Sequence, residues 1–231
     1  MAGIFIKKGM TVGVPTGGLT ISVDDQGKIS AHCNLHVHFD VCPTWLELAS
    51  RHLADANEKK VARIAAWQST DETAKAESLE REFEASMQAI MAAAIAVDAF
   101  YAVIKTKAAI SETLIKKWKD NGTARYAQIS EVLRQTFTLK ESEGDVLRQN
   151  LKQIFKLRDL AVHPAGQIQA PLLHPEINVV VEWRFFYFRA ETASILVGEA
   201  QNMIRTLVTQ GKPTNVAVQA YADALRTRLQ G

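Results

Sequence analysis

The sequence predicts a mostly helical protein that begins with a small β-element. Two observations support this fold class. Short β-branched runs alternate with turn residues over residues 1–42, and apolar residues recur at helical spacing from there to residue 231. The sequence contains no internal repeat. A chain of 231 residues is long enough to bury a core, so we expect a bundle of six or seven helices over residues 43–231.

The predicted β-element contains three runs that favour extended structure. They read "IFIKK", "GLTISVDD" and "KISAHCNLHVHFDV", and "GVPTGG" and "DDQGK" between them supply turn residues. We expect two to four strands joined by tight turns. Side chains alternate between the two faces of a strand. In the last run, one face would carry Cys33, Leu35, Val37, Phe39 and Val41, and the other would carry His32, Asn34, His36, His38 and Asp40.

The polar face of this last run is the first candidate site. Neutral imidazoles and a carboxylate can bind zinc or another divalent metal, so His32, His36, His38 and Asp40 are candidate ligands. Their spacing matches no standard structural zinc pattern. We therefore favour a solvated face of an edge strand, and a metal-dependent protein remains an alternative. We expect neither fold nor activity to require a metal ion or a cofactor.

Helix start and stop signals divide the rest of the chain. Pro43 and Thr44 begin a first helix, and "STDE" is a capping pattern that begins a second. Asn-Gly ends the helix "SETLIKKWKDNG". The remaining segments are the helices "TARYAQISEVLRQTF" and "ESEGDVLRQNLKQIFKLRDLAVH", the proline-rich loop "PAGQIQAPLLHPE", the segment "INVVVEWRFFYFRAETASILVGEAQNMIRTLVTQ", which we predict as helix, and a last helix "PTNVAVQAYADALRTRLQ".

The second helix contains a nearly unbroken apolar stretch, "MQAIMAAAIAVDAFYAVI", at residues 87–104. A membrane-spanning helix needs about 20 apolar residues, and a central charge such as Asp98 is costly there. We therefore predict a buried helix in a soluble bundle that does not bind a membrane. Two cysteines without a CxxC pattern and a start without a signal-peptide pattern favour a cytoplasmic protein. Because the net charge is only +2, binding of a nucleic acid would need a local basic patch.

The second candidate site lies at the end of a helix predicted over residues 145–162. Arg158 falls inside an apolar arc, and an arginine on a buried face needs a carboxylate, an interface or an anionic ligand. His163 precedes Pro164, which disfavours helical geometry in the preceding residue, so the helix should end there. Either Arg158 pairs with a core carboxylate such as Asp98 while His163 caps carbonyls, or the two form half of a chemical site. The arc is formed by Val146, Leu147, Leu151, Ile154, Leu157, Ala161 and Val162.

The segment "RDLAVH" resembles the motif of the HEPN (higher eukaryotes and prokaryotes nucleotide-binding) domain family. That motif is an arginine, four to six residues and a histidine, often with Asn, His or Asp directly after the arginine. Here these are Arg158, Asp159 and His163. The alanine-rich helix before it is similar to the family's central helix. The resemblance covers residues 70–210 and implies a HEPN-like helical bundle.

The resemblance also implies a function. Many members are metal-independent endoribonucleases of toxin–antitoxin, abortive-infection or phage-defence systems, and act as homodimers in which two motifs share one cleft. RNA would be the substrate, an antitoxin or a nucleotidyltransferase would be a partner, and the apolar arc would face a partner subunit. His163 would move protons and Arg158 would stabilise charge on phosphorus, with Asp159 and Asp98 in supporting roles. Other members are non-catalytic modules for dimerisation, nucleotide binding or partner binding, which is the alternative function.

Overall fold

A computed structural model of the protein describes residues 5–6, 9–163, 169–213 and 215–230. Within these residues it contains eight α-helices and six short strands, which confirms the prediction of a mostly helical protein with strands near the N-terminus. The chain divides into two compact units, Met1–Val41 and Cys42–Gly231. Each unit is described separately below.

The N-terminal unit contains two antiparallel two-stranded sheets, of which the second is a hairpin. Strand β1 (Met10–Gly13) pairs with β4 (His36–Phe39), and β2 (Leu19–Val23) pairs with β3 (Ile29–Cys33). The run that we predicted as one strand is therefore two strands, which pair with different partners. Strand β3 ends at Cys33, and the next residue, Asn34, donates its N–H to the carbonyl of Gly18, which directly precedes β2, at 2.7 Å.

The β2–β3 hairpin has one apolar and one polar face. On the polar face, the hydroxyls of Ser22 and Ser30 hydrogen-bond at 2.7 Å. At the turn, Asp24 accepts two backbone N–H bonds and Gly27 has φ +76°. The apolar face is exposed to solvent along its whole length and consists of Leu19, Ile21, Val23, Ile29, Ala31 and Cys33. Neither the exposed Cys33 nor the buried Cys42 forms a disulfide.

The helical unit begins with a long helical hairpin of α1 (Cys42–Ala66) and α2 (Glu72–Lys107). Helix α2 starts where the capping pattern predicted, because Asp71 accepts the N–H groups of Thr73 and Ala74 at 2.9 and 3.0 Å. By length and composition α2 could cross a membrane, and 56% of its most apolar 18-residue window is buried within the protein.

Six further helices and a hairpin of two short strands, each of two residues, complete the helical unit. The predicted helix at residues 177–210 is wrong at its start, because the β-branched run around Val180 forms a strand and Glu182 caps a new helix. The elements are α3 (Glu112–Asp120), α4 (Arg125–Thr136), α5 (Glu141–Val162), β5 (Leu172–Leu173), β6 (Val180–Val181), α6 (Trp183–Tyr187), α7 (Ala190–Gln210) and α8 (Val216–Gln230).

The core of the helical unit surrounds α2. This helix contacts α1, α4, α5 and α7. The small alanine side chains in the middle of α2 let the side chains of these four helices pack close to its backbone. Phe100 of α2 lies near the rings of Phe137 and Tyr221, with centroids 6.2 and 6.1 Å away. Because α4 and α5 both pack on α2, their charged side chains meet at its surface.

Candidate functional site

The apolar arc of α5 packs inside its own chain. Leu147, Leu151, Ile154 and Leu157 are buried, and α5 contacts α2, α4 and α7. The expectation that this arc faces a partner subunit is therefore wrong for its central residues, because the arc completes the core of the bundle. At the two ends of the arc, Val146 and Val162 remain exposed.

Arg158 lies at the edge of this buried face and is held by two carboxylates. Its Nε and Nη2 donate to Oδ1 of Asp159 at 2.9 and 2.6 Å, and its Nη1 donates to Oδ2 of Asp98 at 3.4 Å. The guanidinium also lies 4.6 Å from the ring centre of Phe155. Three of its five N–H donors are used among the described residues, so two remain. The side chain is 25% exposed, so a ligand can reach it.

Asp98 joins Arg158 to a second arginine. Arg125, the first residue of α4, donates from Nε to Oδ1 of Asp98 at 2.8 Å and lies 4.5 Å from the ring centre of Tyr101. The Asp98 pairing that we considered for Arg158 is therefore present, within a cluster of two arginines and two aspartates. We did not identify Arg125 from the sequence, because an arginine at the start of a helix has no distinctive pattern.

His163 ends α5, as the following proline predicted. Its φ and ψ of −113° and 88° are not helical, and its N–H donates to the Asp159 carbonyl at 2.8 Å. The side chain is exposed, and within the described residues its imidazole makes no hydrogen bond. Asp159 thus connects the two motif residues, with its carboxylate on Arg158 and its carbonyl on the His163 backbone. Pro164 lies outside the described residues.

The histidines of the N-terminal unit do not share one strand face. His32 is on β3 opposite Thr20, whereas His36 and His38 are on β4. His32 Nε2 lies 3.0 Å from Oδ1 of Asn34, and Asp40 is buried. The predicted continuous polar face is wrong because the strand breaks between these histidines. Across the part of the chain that the structure describes, no group of three or more His, Cys, Asp or Glu side chains is placed to hold a metal ion.

A second charged cluster, which sequence reasoning missed, is buried between helices. Arg63 of α1 is fully buried and pairs with Glu82 of α2 and, at 2.5 Å, with Oε2 of Glu176. Glu82 also accepts the N–H of Ala190 at 3.1 Å and so caps α7. The buried His174 accepts the Glu176 N–H on Nδ1 at 3.3 Å. The cluster ties α1 and α2 to α7 and to the loop between β5 and β6.

The environment of this cluster shifts the pKa values of its members. Burial lowers the pKa of His174, and the nearby charge of Arg63 lowers it further. Burial alone would raise the pKa of Glu176, but its hydrogen bond to Arg63 and the charges of Arg63 and Lys60 hold the pKa below its ordinary value. The sequence did contain a signal, because Arg63 follows the buried Ala49 and Ala56 at seven-residue intervals on α1.

The two charged clusters differ in what they can do chemically. The guanidinium of Arg63 is fully buried and paired with two carboxylates, so its cluster fits a role in stability. The cluster around Arg158 reaches the surface and keeps spare N–H donors, which suits the binding of an anion. His163, five residues further along the chain, carries an exposed imidazole, a group that can transfer protons. No family model, curated protein or solved structure matches this chain.

Proposed function

We propose that the protein is a metal-independent endoribonuclease of the HEPN type that acts as a homodimer. The observation that carries the proposal is the arrangement at the end of α5. The guanidinium of Arg158 is fixed by Asp98 and Asp159 yet keeps free donors, and His163, five residues further on, is exposed at the end of α5. The match of "RDLAVH" to the family motif supports the same assignment.

The chemistry follows from these two residue types. RNA carries its own nucleophile, so His163 as a base removes the 2′-hydroxyl proton while the 2′-oxygen bonds to phosphorus. The bond from phosphorus to the 5′-oxygen breaks, and a protonated His163 of the other protomer gives that oxygen a proton. Arg158 stabilises the charge that builds up on the phosphoryl oxygens through its planar donors. The products are a 2′,3′-cyclic phosphate and a 5′-hydroxyl.

The carboxylates serve to position the arginine. Asp159 takes two N–H groups of Arg158 on one oxygen and Asp98 takes a third, so the guanidinium plane is fixed before RNA binds. A fixed donor needs little reorganisation during the reaction. We further propose that this nuclease acts in the cytoplasm in a toxin–antitoxin or phage-defence system, with an antitoxin or a nucleotidyltransferase as its protein partner.

One observation favours a second candidate, a non-catalytic HEPN-like module for dimerisation, nucleotide binding or partner binding. The positive charges of Arg125 and Arg158 are matched within the same chain by Asp98 and Asp159. A cluster whose net charge is already zero needs no phosphate to balance its positive charges. In that case Arg158 would hold α5 against α2 and have no chemical role.

Cleavage of RNA in the presence of EDTA separates the two candidates. Purified wild type, His163→Ala and the control His36→Ala, which removes another exposed histidine, are incubated with single-stranded and structured RNA. A positioned acid or base contributes about 10²- to 10⁴-fold in rate, so only His163→Ala should lose most of the activity. The products should carry the cyclic phosphate, and light scattering should report a dimer.

Each other outcome counts against the proposal. Equal cleavage by wild type and His163→Ala would place the activity elsewhere. Cleavage that EDTA abolishes would contradict a metal-independent mechanism. No cleavage of either RNA class by the wild type would favour the non-catalytic module.

A further inference from the structure

A cleft of about 430 Å³ lies beside the Arg158 cluster, between the end of α2 and the start of α4. Its walls carry two cations, Lys105 and Arg125, and no acidic residue. Lys105 makes no ion pair within the described residues, so its charge is not offset locally. The cleft is lined by Tyr101, Ala102, Lys105, Thr106, Ala109, Ile110 and Arg125.

Arg125, which lines the cleft, is also the first residue of α4. The N-cap residue of this helix, Ala124, has no side chain that could cap the helix, and the N–H groups of Ala127 and Gln128 already bond to the Ala124 carbonyl. The N–H groups of Arg125 and Tyr126, which come before them, have no backbone acceptor among the described residues. The start of a 12-residue helix with free N–H groups attracts anions.

The wall of the cleft contains a buried polar group without a partner. Tyr101 is fully buried, and its hydroxyl has no hydrogen-bond partner among the described residues. Burial raises the pKa of Tyr101, so the hydroxyl keeps its proton and remains a donor. A buried donor left unpaired is costly, so an acceptor bound in the cleft would gain stability from a hydrogen bond with this hydroxyl.

The cleft is linked to the proposed catalytic residues by one carboxylate. Arg125 lines the cleft and bonds to Oδ1 of Asp98, while Oδ2 of the same aspartate holds Arg158. The cluster of Arg125, Arg158, Asp98 and Asp159 is electrically balanced and attracts a polyanion weakly, whereas the cleft next to it adds the positive charge of Lys105, which is unpaired among the described residues. An RNA strand bound at Arg158 would therefore extend towards the cleft.

We propose that this cleft binds a phosphate group of the RNA strand next to the phosphate that is cleaved. Lys105, Arg125, the free N–H groups of α4 and the Tyr101 hydroxyl supply the donors. The inference rests on the proposed ribonuclease function, because that function supplies the strand. It adds a binding residue, Lys105, that lies outside the motif and takes no part in the chemistry.

The test measures binding without cleavage. A short fluorescein-labelled 2′-O-methyl RNA strand lacks the nucleophile, so fluorescence anisotropy reports affinity whether or not the protein is a nuclease. Lys105→Ala is compared with Lys107→Ala, a lysine of the same helical turn that does not line the cleft and lies 6.0 Å from the ring centre of Tyr221. Lys105→Ala should weaken binding about three- to tenfold and lower the slope of log affinity against log salt by about 0.7.

A second variant adds a negative charge to the cleft instead of removing a positive one. Ala102 is exposed and lines the cleft, so Ala102→Glu places a carboxylate in the cleft without deleting a contact. It should weaken binding more than Lys105→Ala. Thermal unfolding of both variants should match the wild type, which separates lost binding from lost folding.

Each outcome of this test decides the proposal. Equal losses for Lys105→Ala and Lys107→Ala, or no loss for either, would overturn the cleft as a specific site. Displacement of the strand by millimolar inorganic phosphate at constant ionic strength would assign the cleft to free phosphate and contradict the RNA assignment. A selective loss for Lys105→Ala in a protein that cleaves no RNA would support the cleft and reject the nuclease.

Discussion

Arg158 donates from Nη1 to Oδ2 of Asp98 across 3.4 Å, joining α5 to α2 over 60 positions of sequence. It is the longest of the hydrogen bonds that Arg158 makes, and the same carboxylate binds Arg125 more closely, at 2.8 Å. Asp98 therefore acts mainly as the partner of Arg125, while Asp159 holds Arg158. A change at Asp98 should affect both arginines.

Asp98→Asn should raise the affinity for RNA and lower the stability of the fold. The substitution removes one negative charge between two arginines, so a polyanion is attracted more strongly. Because the pairs are partly exposed, we expect a loss of about 1 kcal/mol in the free energy of unfolding. Anisotropy and urea titrations measure the two effects. Asp120→Asn makes the same net charge change in an exposed pair with Lys116, and an equal gain in affinity there would refute a local effect.

Arg63→Ala should destabilise the helical unit strongly. The substitution leaves Glu82 buried without its partner, and breaking a buried pair costs about 3–5 kcal/mol. Arg81→Ala is a control, because its pair with Glu77 is exposed and such pairs contribute about 0.2–1 kcal/mol. Denaturant unfolding measures the loss in the free energy of unfolding for each of the two variants. Similar losses for the two variants would mean that the cluster around Arg63 does not hold the helices together.

The stability of the protein should fall as the pH drops below about 6.5, in part through His174. Its pKa in the folded protein is lower than the ordinary value of 6.5, so the unfolded chain binds the proton more readily. This contribution is complete above pH 6.5 and is lost as the pH falls through the folded pKa. Glu176, whose pKa is also lowered, adds a loss below its ordinary value of 4.5.

His174→Asn isolates the histidine contribution. The asparagine oxygen can accept the Glu176 N–H that Nδ1 accepts now, but it does not titrate. The free energy of unfolding of the variant should therefore depend less on pH between 7 and 5 than that of the wild type. Parallel curves over that range would exclude His174 as the source of the pH dependence.

Removal of residues 1–41 should leave the helical unit folded. Every buried residue of the main core cluster lies at Cys42 or beyond, so the deletion opens no cavity in that core. We expect the truncated protein to keep its helical circular dichroism and to unfold cooperatively. A broad, non-cooperative transition would show that the N-terminal unit contributes to the stability of the bundle.

Local signals in the sequence were enough to predict where several helices begin and end. Asp71 and Ser111 each accept N–H groups at the first turn of a helix, and this capping depends only on nearby residues. His163 leaves helical geometry before a proline for an equally local reason. The mostly helical fold follows from such signals together with helical spacing of apolar residues.

Features that depend on distant residues could not be predicted. The meeting of Arg125 with Asp98 requires α4 to pack against α2, and the break at Asn34 depends on which strands pair. An arginine on an apolar arc signals only that a partner is needed. It did not show that the partners of Arg158 lie in its own chain.

The two cysteines give the native sequence a single attachment point for a spectroscopic label. Cys33 is exposed on β3 and Cys42 is fully buried, so a thiol-reactive nitroxide should modify one position per folded chain. Pulsed electron paramagnetic resonance on such a sample detects only label pairs. A homodimer would yield one interprotomer distance distribution, and a monomer would yield none. The quaternary structure can thus be measured without altering any residue.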